Sequence, residues 1–121
     1  MKTEMVELIR FLKVNRRNAW IKCCGFEIYV RVSYRLLDGR PTRCFDIGNI
    51  NLPEDQRGNG KFKKLLCDIV TLLRDEKLRG DVEYILVESL VNTRLEKYLL
   101  GVGFSHTYKE RVRSPSVYKK L

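Results

Sequence analysis

Apolar residues recur along this chain with two periods, and the changes between them mark its elements. Met5, Leu8, Ile9 and Leu12 fall at helical spacing, which predicts an amphipathic helix over 5–14. Ala19 to Cys24 reads as a short strand ended by Gly25. From Phe26 to Leu36 the even positions are Phe26, Ile28, Val30, Val32, Tyr34 and Leu36, against Glu27, Tyr29, Arg31, Ser33 and Arg35 at the odd ones. That alternation predicts a long strand with one dry face. Asp38-Gly39 marks a hairpin turn, with Arg40-Pro41 lengthening the loop.

The returning strand, 42–52, changes phase partway. Phe45 and Ile47 are odd apolar positions, whereas Ile50 and Leu52 are even, with Gly48 and Asn49 between them. One inserted residue produces such a slip, so a β-bulge is predicted near Gly48; the alternative is a strand buried on both faces. Helical spacing returns over 61–78, with Phe62, Leu65, Leu66, Ile69, Leu72 and Leu73 in one stripe ended by Gly80-Asp81. The run around 84–88 predicts a central strand parallel to the one before the helix, a βαβ unit. A second helix carries Leu95, Tyr98 and Leu99, and Gly101 and Gly103 end it before Phe104. The tail forms two strands broken at Ser114-Pro115. The order predicts a single α/β domain, 1–121, with a mixed sheet.

Composition narrows the setting. At 121 residues and 44% hydrophobic, the chain has enough apolar surface for one modest core. No stretch approaches the roughly 18 apolar residues that cross a bilayer, and the first residues lack a signal-peptide core, so the chain reads as cytoplasmic with no membrane partner. Cys23 and Cys24 are adjacent, Cys44 and Cys67 sit in apolar runs, there is no CxxC, and His106 is the sole histidine. Buried free thiols are therefore expected, with no disulfide framework and no metal site. A net charge of +9 implies an anionic partner without naming it: nucleic acid, an acidic protein face or a phosphorylated cofactor all fit.

The densest chemical signal is "LPEDQRGNGKFKKLL", residues 52–66, where Gly58 and Gly60 flank Asn59 at the mouth of a helix rich in positive charge. A helix start leaves backbone N–H groups unpaired and carries partial positive charge, and glycines let an anion approach closely. A pyrophosphate cradle with Arg57 and Lys61 as added charge is one reading; a tight turn before a solvated basic helix is the other. It matches neither GxxxxGK[ST] nor GxGxxG.

"QRGNGKFKKLL" resembles the acetyl-CoA loop of the GNAT superfamily of N-acetyltransferases, [QR]xxGx[GA] between a strand and a helix. Arg57 and Gly60 match, while Phe62 stands at the last position. Downstream, "VESLVNTRLEKYLLGVGF" is similar to that family's strand–Asn–helix–GF segment through Asn92 and Gly103-Phe104, and "SVYKKL" to its closing strand. The likeness covers 42–121 well and earlier residues by order of elements.

The resemblance implies a GNAT-like fold: a mixed, mainly antiparallel sheet with a central splayed parallel pair, flanked by helices. It implies acetyl-CoA as cofactor, with Ile50, Asn51 and Leu52 offering backbone groups to the pantetheine. The amides of Arg57, Gly58, Asn59, Gly60, Lys61 and Phe62 would hold the pyrophosphate. Asn92 would bond the pantetheine or serve only as a helix cap. The implied activity is acetyl transfer to an amine by direct attack on the thioester, with charge on the carbonyl oxygen stabilised by a strand amide. Glu88, or a water beside it, is the expected base, against an exposed glutamate with no role. The family's tyrosine acid falls at Leu99 here, leaving Tyr98 one residue earlier, Tyr108 or Tyr118, or no tyrosine at all. The substrate wall expected from the first helix, hairpin loop and tail is rich in Arg and Lys, which favours an acidic acceptor or one flanked by acidic groups, including one on a protein. The alternative is a binding protein on the same scaffold with weak or lost activity, its basic surface against an acidic protein or nucleic acid. Nucleic acid is the less favoured partner, because aromatics are not interleaved with the basic residues.

Overall fold

A computed structural model describes residues 5–15, 17–37, 39–51, 60–88, 93–107 and 116–121. The opening amphipathic segment forms α1 (Val6–Arg10) and continues as a π-helical turn, Phe11–Asn15. Then come β1 (Asn18–Cys23), β2 (Phe26–Leu37), β3 (Arg40–Asn51), α2 (Lys61–Leu73), α3 (Glu76–Arg79), β4 (Tyr84–Val87), α4 (Thr93–Gly101), β5 (Ser105–His106) and β6 (Val117–Lys120). One six-stranded sheet runs β1-β2-β3-β4-β6-β5, antiparallel except for the central β3–β4 pair. The predicted mixed sheet and βαβ unit are therefore present. No described helix is long and apolar enough to cross a membrane.

The phase slip in β3 is a bulge. Tyr29 pairs with Asn49 and Val30 with Ile47, so Gly48 is the extra residue. Above it Phe45 and Ile47 face the larger core together with Ile28 and Val30. The helices contribute their buried side chains to this same core: Leu8 and Leu12 from the N-terminal segment, Leu65, Ile69 and Leu73 from α2, Leu99 from α4. Phe11 meets Phe45 edge-on at 6.3 Å, and Phe62 meets Phe26 at 6.1 Å. The other sheet face carries a small cluster of Leu37, Cys44 and Leu86 with Tyr84 and Tyr118 against it.

Four expectations need correcting. Arg40 and Pro41 do not lengthen the hairpin loop; they pair with Leu37 and Leu36, because Gly39 at φ 79° supplies the left-handed residue a two-residue connection needs. The 61–78 helix is broken at Arg74–Asp75, where the Asp75 carboxylate accepts the Lys77 N–H at 3.0 Å and starts α3. The dry face of β2 ends at Val32: Tyr34 and Leu36 are exposed, and β1 begins only opposite Arg31, so it does not reach them. All four cysteines are free, but only Cys23 and Cys44 are buried; Cys67 lies on the outer face of α2.

Candidate functional site

The site is built around the end of the parallel pair. β3 and β4 are in register from Cys44↔Tyr84 to Ile47↔Val87, and the Glu88 N–H donates to the Ile47 carbonyl at 3.0 Å. β3 then runs on through the bulge to Asn51 alongside β2. The two central strands thus have different neighbours immediately after Ile47. Ile50 and Asn51 lie on this extension of β3, paired with Ile28 and Glu27.

On the helical side, α2 starts at Lys61 immediately after Gly60. Gly60 is left-handed (φ 78°), provides no side-chain cap, and among the described residues has no atom within 4 Å of the place a Cβ would occupy. The first turn holds Lys61, Lys63 and Lys64 and no acid. Phe62 is partly buried, its ring packed against the core beside Phe26. A positively charged helix start with no side-chain cap among the described residues suits an anionic group. Leu52, Arg57, Gly58, Asn59 and Asn92 lie outside the described residues, as does Tyr108.

On the opposite sheet face, Trp20, Tyr29, Arg31, Gly48, Asn49 and Glu88 line an open cleft of about 270 Å³. At the bulge two side chains crowd the strand: a Cβ on Gly48 would stand 3.1 Å from Glu88 Oε2 and 3.2 Å from the Tyr29 ring. Glu88 is one corner of an ion-pair cluster with Arg31, Arg35 and Asp46. Arg31 donates from Nε to Asp46 Oδ2 at 2.8 Å and from Nη2 to Glu88 Oε2 at 2.7 Å. Arg35 Nη2 donates to Asp46 Oδ2 at 2.7 Å and also to Glu88 Oε1. Hydrogen bonding to Asp46 holds the Arg31 guanidinium protonated well beyond its ordinary range, against the opposing effect of burial. Asp46 is fully buried, whereas the arginine side chains are about one-third exposed. Glu88 is therefore largely buried and ion-paired rather than exposed.

The two tyrosine positions on α4 diverge. Leu99, where the family tyrosine was expected, is 1% exposed in the core. Tyr98 is half-buried with its ring 4.5 Å from Lys63 Nζ, in the first turn of α2. Tyr118 meets Tyr84 at 5.6 Å, the rings tilted by 60°, on the cleft face of the sheet. The structure thus brings Gly60, Lys61 and Tyr98 toward the α2 start and places Glu88 on the other face. Sequence reasoning missed Trp20, Tyr29, Arg31, Arg35 and Asp46. The available signal was an aspartate inside the apolar run "CFDIG", a buried charge that requires partners.

No protein-family profile and no curated protein matches the chain. Solved structures do. A tyrosine-to-phenylalanine mutant of the toxin AtaT, bound to the C-terminus of the antitoxin AtaR and acetyl-CoA, has a TM-score of 0.59 at 14% identity, over 78% of this chain and 57% of that one. AtaT complexed with acetyl-methionyl-tRNAfMet scores 0.61 at 13% identity, over 78% and 61%. A mutant of KacT scores 0.61 at 14% identity, over the same shares. The chain thus spans about three fifths of the length of these proteins. The likeness shows the fold, which is GNAT-like.

Proposed function

We propose that this chain is an acetyl-CoA-dependent N-acetyltransferase. The observation that carries the reading is the junction at Ile47: a parallel pair that ends at a bulge, with an open cationic helix start on one face and a cleft on the other. AtaT, of the same fold, has been solved with acetyl-CoA bound. Bound acetyl-CoA would supply an activated acetyl thioester. The amides of 57–62 would hold its pyrophosphate and the backbone of 50–52 its pantetheine arm, which Asn92 would also bond unless it serves only as a helix cap. Glu88 would receive the amine. A carboxylate offers about four lone-pair sites, and three are taken by Arg31 and Arg35, so one direction remains for an amine N–H. The amine must lose one proton and the leaving sulfur gain one; Glu88 or water accepts the first, and Tyr98 gives the second.

A second reading is favoured by one observation. Leu99 is packed in the core where the family's acid would stand, which suits a GNAT-fold protein that binds the cofactor but turns over weakly. Native mass spectrometry of the purified protein with CoA and acetyl-CoA tests the shared part, with Gly60→Val as control. Wild type should bind one CoA and the variant at least tenfold less. Absence of CoA binding to wild type refutes both readings. Release of free thiol with an amine panel then separates them, and Tyr98→Phe should slow that release by roughly 10²- to 10⁴-fold without weakening CoA binding.

A further inference from the structure

We propose that the cleft on the non-helical sheet face is the acceptor site, and that it takes a primary amine carried on an apolar, aromatic body rather than an acidic acceptor. The inference rests on the acetyltransferase reading and specifies its substrate class. The cleft's side wall is Trp20, half-exposed on β1, tilted against Tyr29 at 5.5 Å. β1 is the edge strand, and α1 packs on the opposite face, so the first helix is not the wall here. The Arg31 guanidinium already lies 6.0 Å over the Tyr29 ring, so the half-exposed Trp20 is the ring on which a small apolar body would stack, with Tyr29 beside it.

The cleft floor is locally neutral despite the chain's +9. Arg31 and Arg35 contribute two positive charges, Asp46 and Glu88 two negative ones, and each side is spent on the other. The basic surface therefore does not focus an anion at this point. Arg31 is bonded to both carboxylates, which leaves it a poor partner for an incoming acid. Glu88 retains one acceptor direction, which an ammonium or amine satisfies and a carboxylate is repelled by. A volume of about 270 Å³ sits just below the range of drug-sized sites, room for a ring and a short amine arm. The Glu88 carboxylate lies against Gly48, beside the point where β3 and β4 part company. The amine would therefore be held at the junction between the two faces.

Trp20 is the only tryptophan, so its fluorescence reports occupancy of the cleft without cofactor or turnover. The probes are 2-phenylethylamine, 3-phenylpropionate and putrescine. Saturable quenching by 2-phenylethylamine is expected, at least tenfold tighter than by either of the others. Glu88→Gln should abolish the preference for amine over acid, and Tyr29→Ala should weaken 2-phenylethylamine roughly tenfold. Because Glu88→Gln also perturbs the ion-pair cluster, Trp20→Ala serves as a second variant on an exposed side chain. It should raise the KM for arylalkylamines tenfold or more while leaving CoA affinity unchanged. Equal or tighter binding of the acid or the diamine, or no saturable response to the arylalkylamine, overturns the proposal. CoA binding measured separately keeps the two failures apart: arylalkylamine binding without CoA binding sinks the enzyme reading alone, and the reverse sinks the cleft assignment alone.

Discussion

Asp46→Asn is the sharpest test of how the cleft face is held. The wild-type carboxylate is fully buried and accepts from Arg31 Nε and Arg35 Nη2, both through Oδ2. Its second oxygen, the Arg35 Nε and the Ser33 hydroxyl are buried with no partner among the described residues, so the arrangement has little slack. Removing one member of a fully buried pair costs about 3–5 kcal/mol, because the remaining charge is left uncompensated. Two features reduce that here: each arginine is about one-third exposed, and Glu88 still pairs with both. A loss of about 2 kcal/mol is expected, or roughly 8 °C in Tm for a domain of this size. The control is Glu83→Gln at the exposed Arg40–Glu83 pair (57% and 44% exposed), which should cost under about 0.5 kcal/mol. Urea unfolding with an unchanged m-value gives the comparison directly. If Asp46→Asn costs no more than the control, or if its cost vanishes in about 0.5 M salt as a surface pair's would, the cluster does not act as a buried unit.

Gly48→Ala should cost about 1–2 kcal/mol and narrow the cleft, since its methyl would stand 3.1 Å from Glu88 and 3.2 Å from Tyr29; an unchanged melting curve and unchanged Trp20 emission would contradict the bulge geometry. Leu99→Ala should cost about 3 kcal/mol, and Leu99→Tyr should also destabilise without raising thiol release, because the position faces the core; faster turnover by the tyrosine variant would refute that. Burial pushes the Cys23 thiol up to about 12, reinforced by Cys24, and burial likewise pushes Cys44 to about 11. Above pH 9 the unfolded chain sheds these protons while the native state keeps them, so stability should fall between about pH 9 and 12. Urea midpoints at pH 8 and 10 check this, and Cys44→Ala should reduce the difference without removing it, since Cys23 remains. Gly60→Ala should cost about 1 kcal/mol through its left-handed φ with no steric clash, measurable as a Tm shift in the absence of any ligand.

The sequence by itself determined the elements and the break in β3. Period-two and period-3.6 patterns are local records of which side of an element stays dry, and a change of phase across Gly48 records an inserted residue wherever in space the strand lies. The parallel pair followed from a strand, an amphipathic helix and a second apolar strand in order. The Asp75 carboxylate, accepting from the Lys77 N–H, ended the predicted 61–78 helix early, a local event whose outcome depends on competition between cap and helix. Only the tertiary structure decided the candidate cleft. Arg31 and Arg35 look like the wet face of a strand until Asp46 from β3 and Glu88 from beyond β4 are brought against them, 11 to 57 positions away in sequence. Likewise Trp20 and Tyr29 become one wall only through the β1–β2 register. Pairing of charges and facing of rings depend on distances across strands, and a one-dimensional pattern carries faces but not those distances.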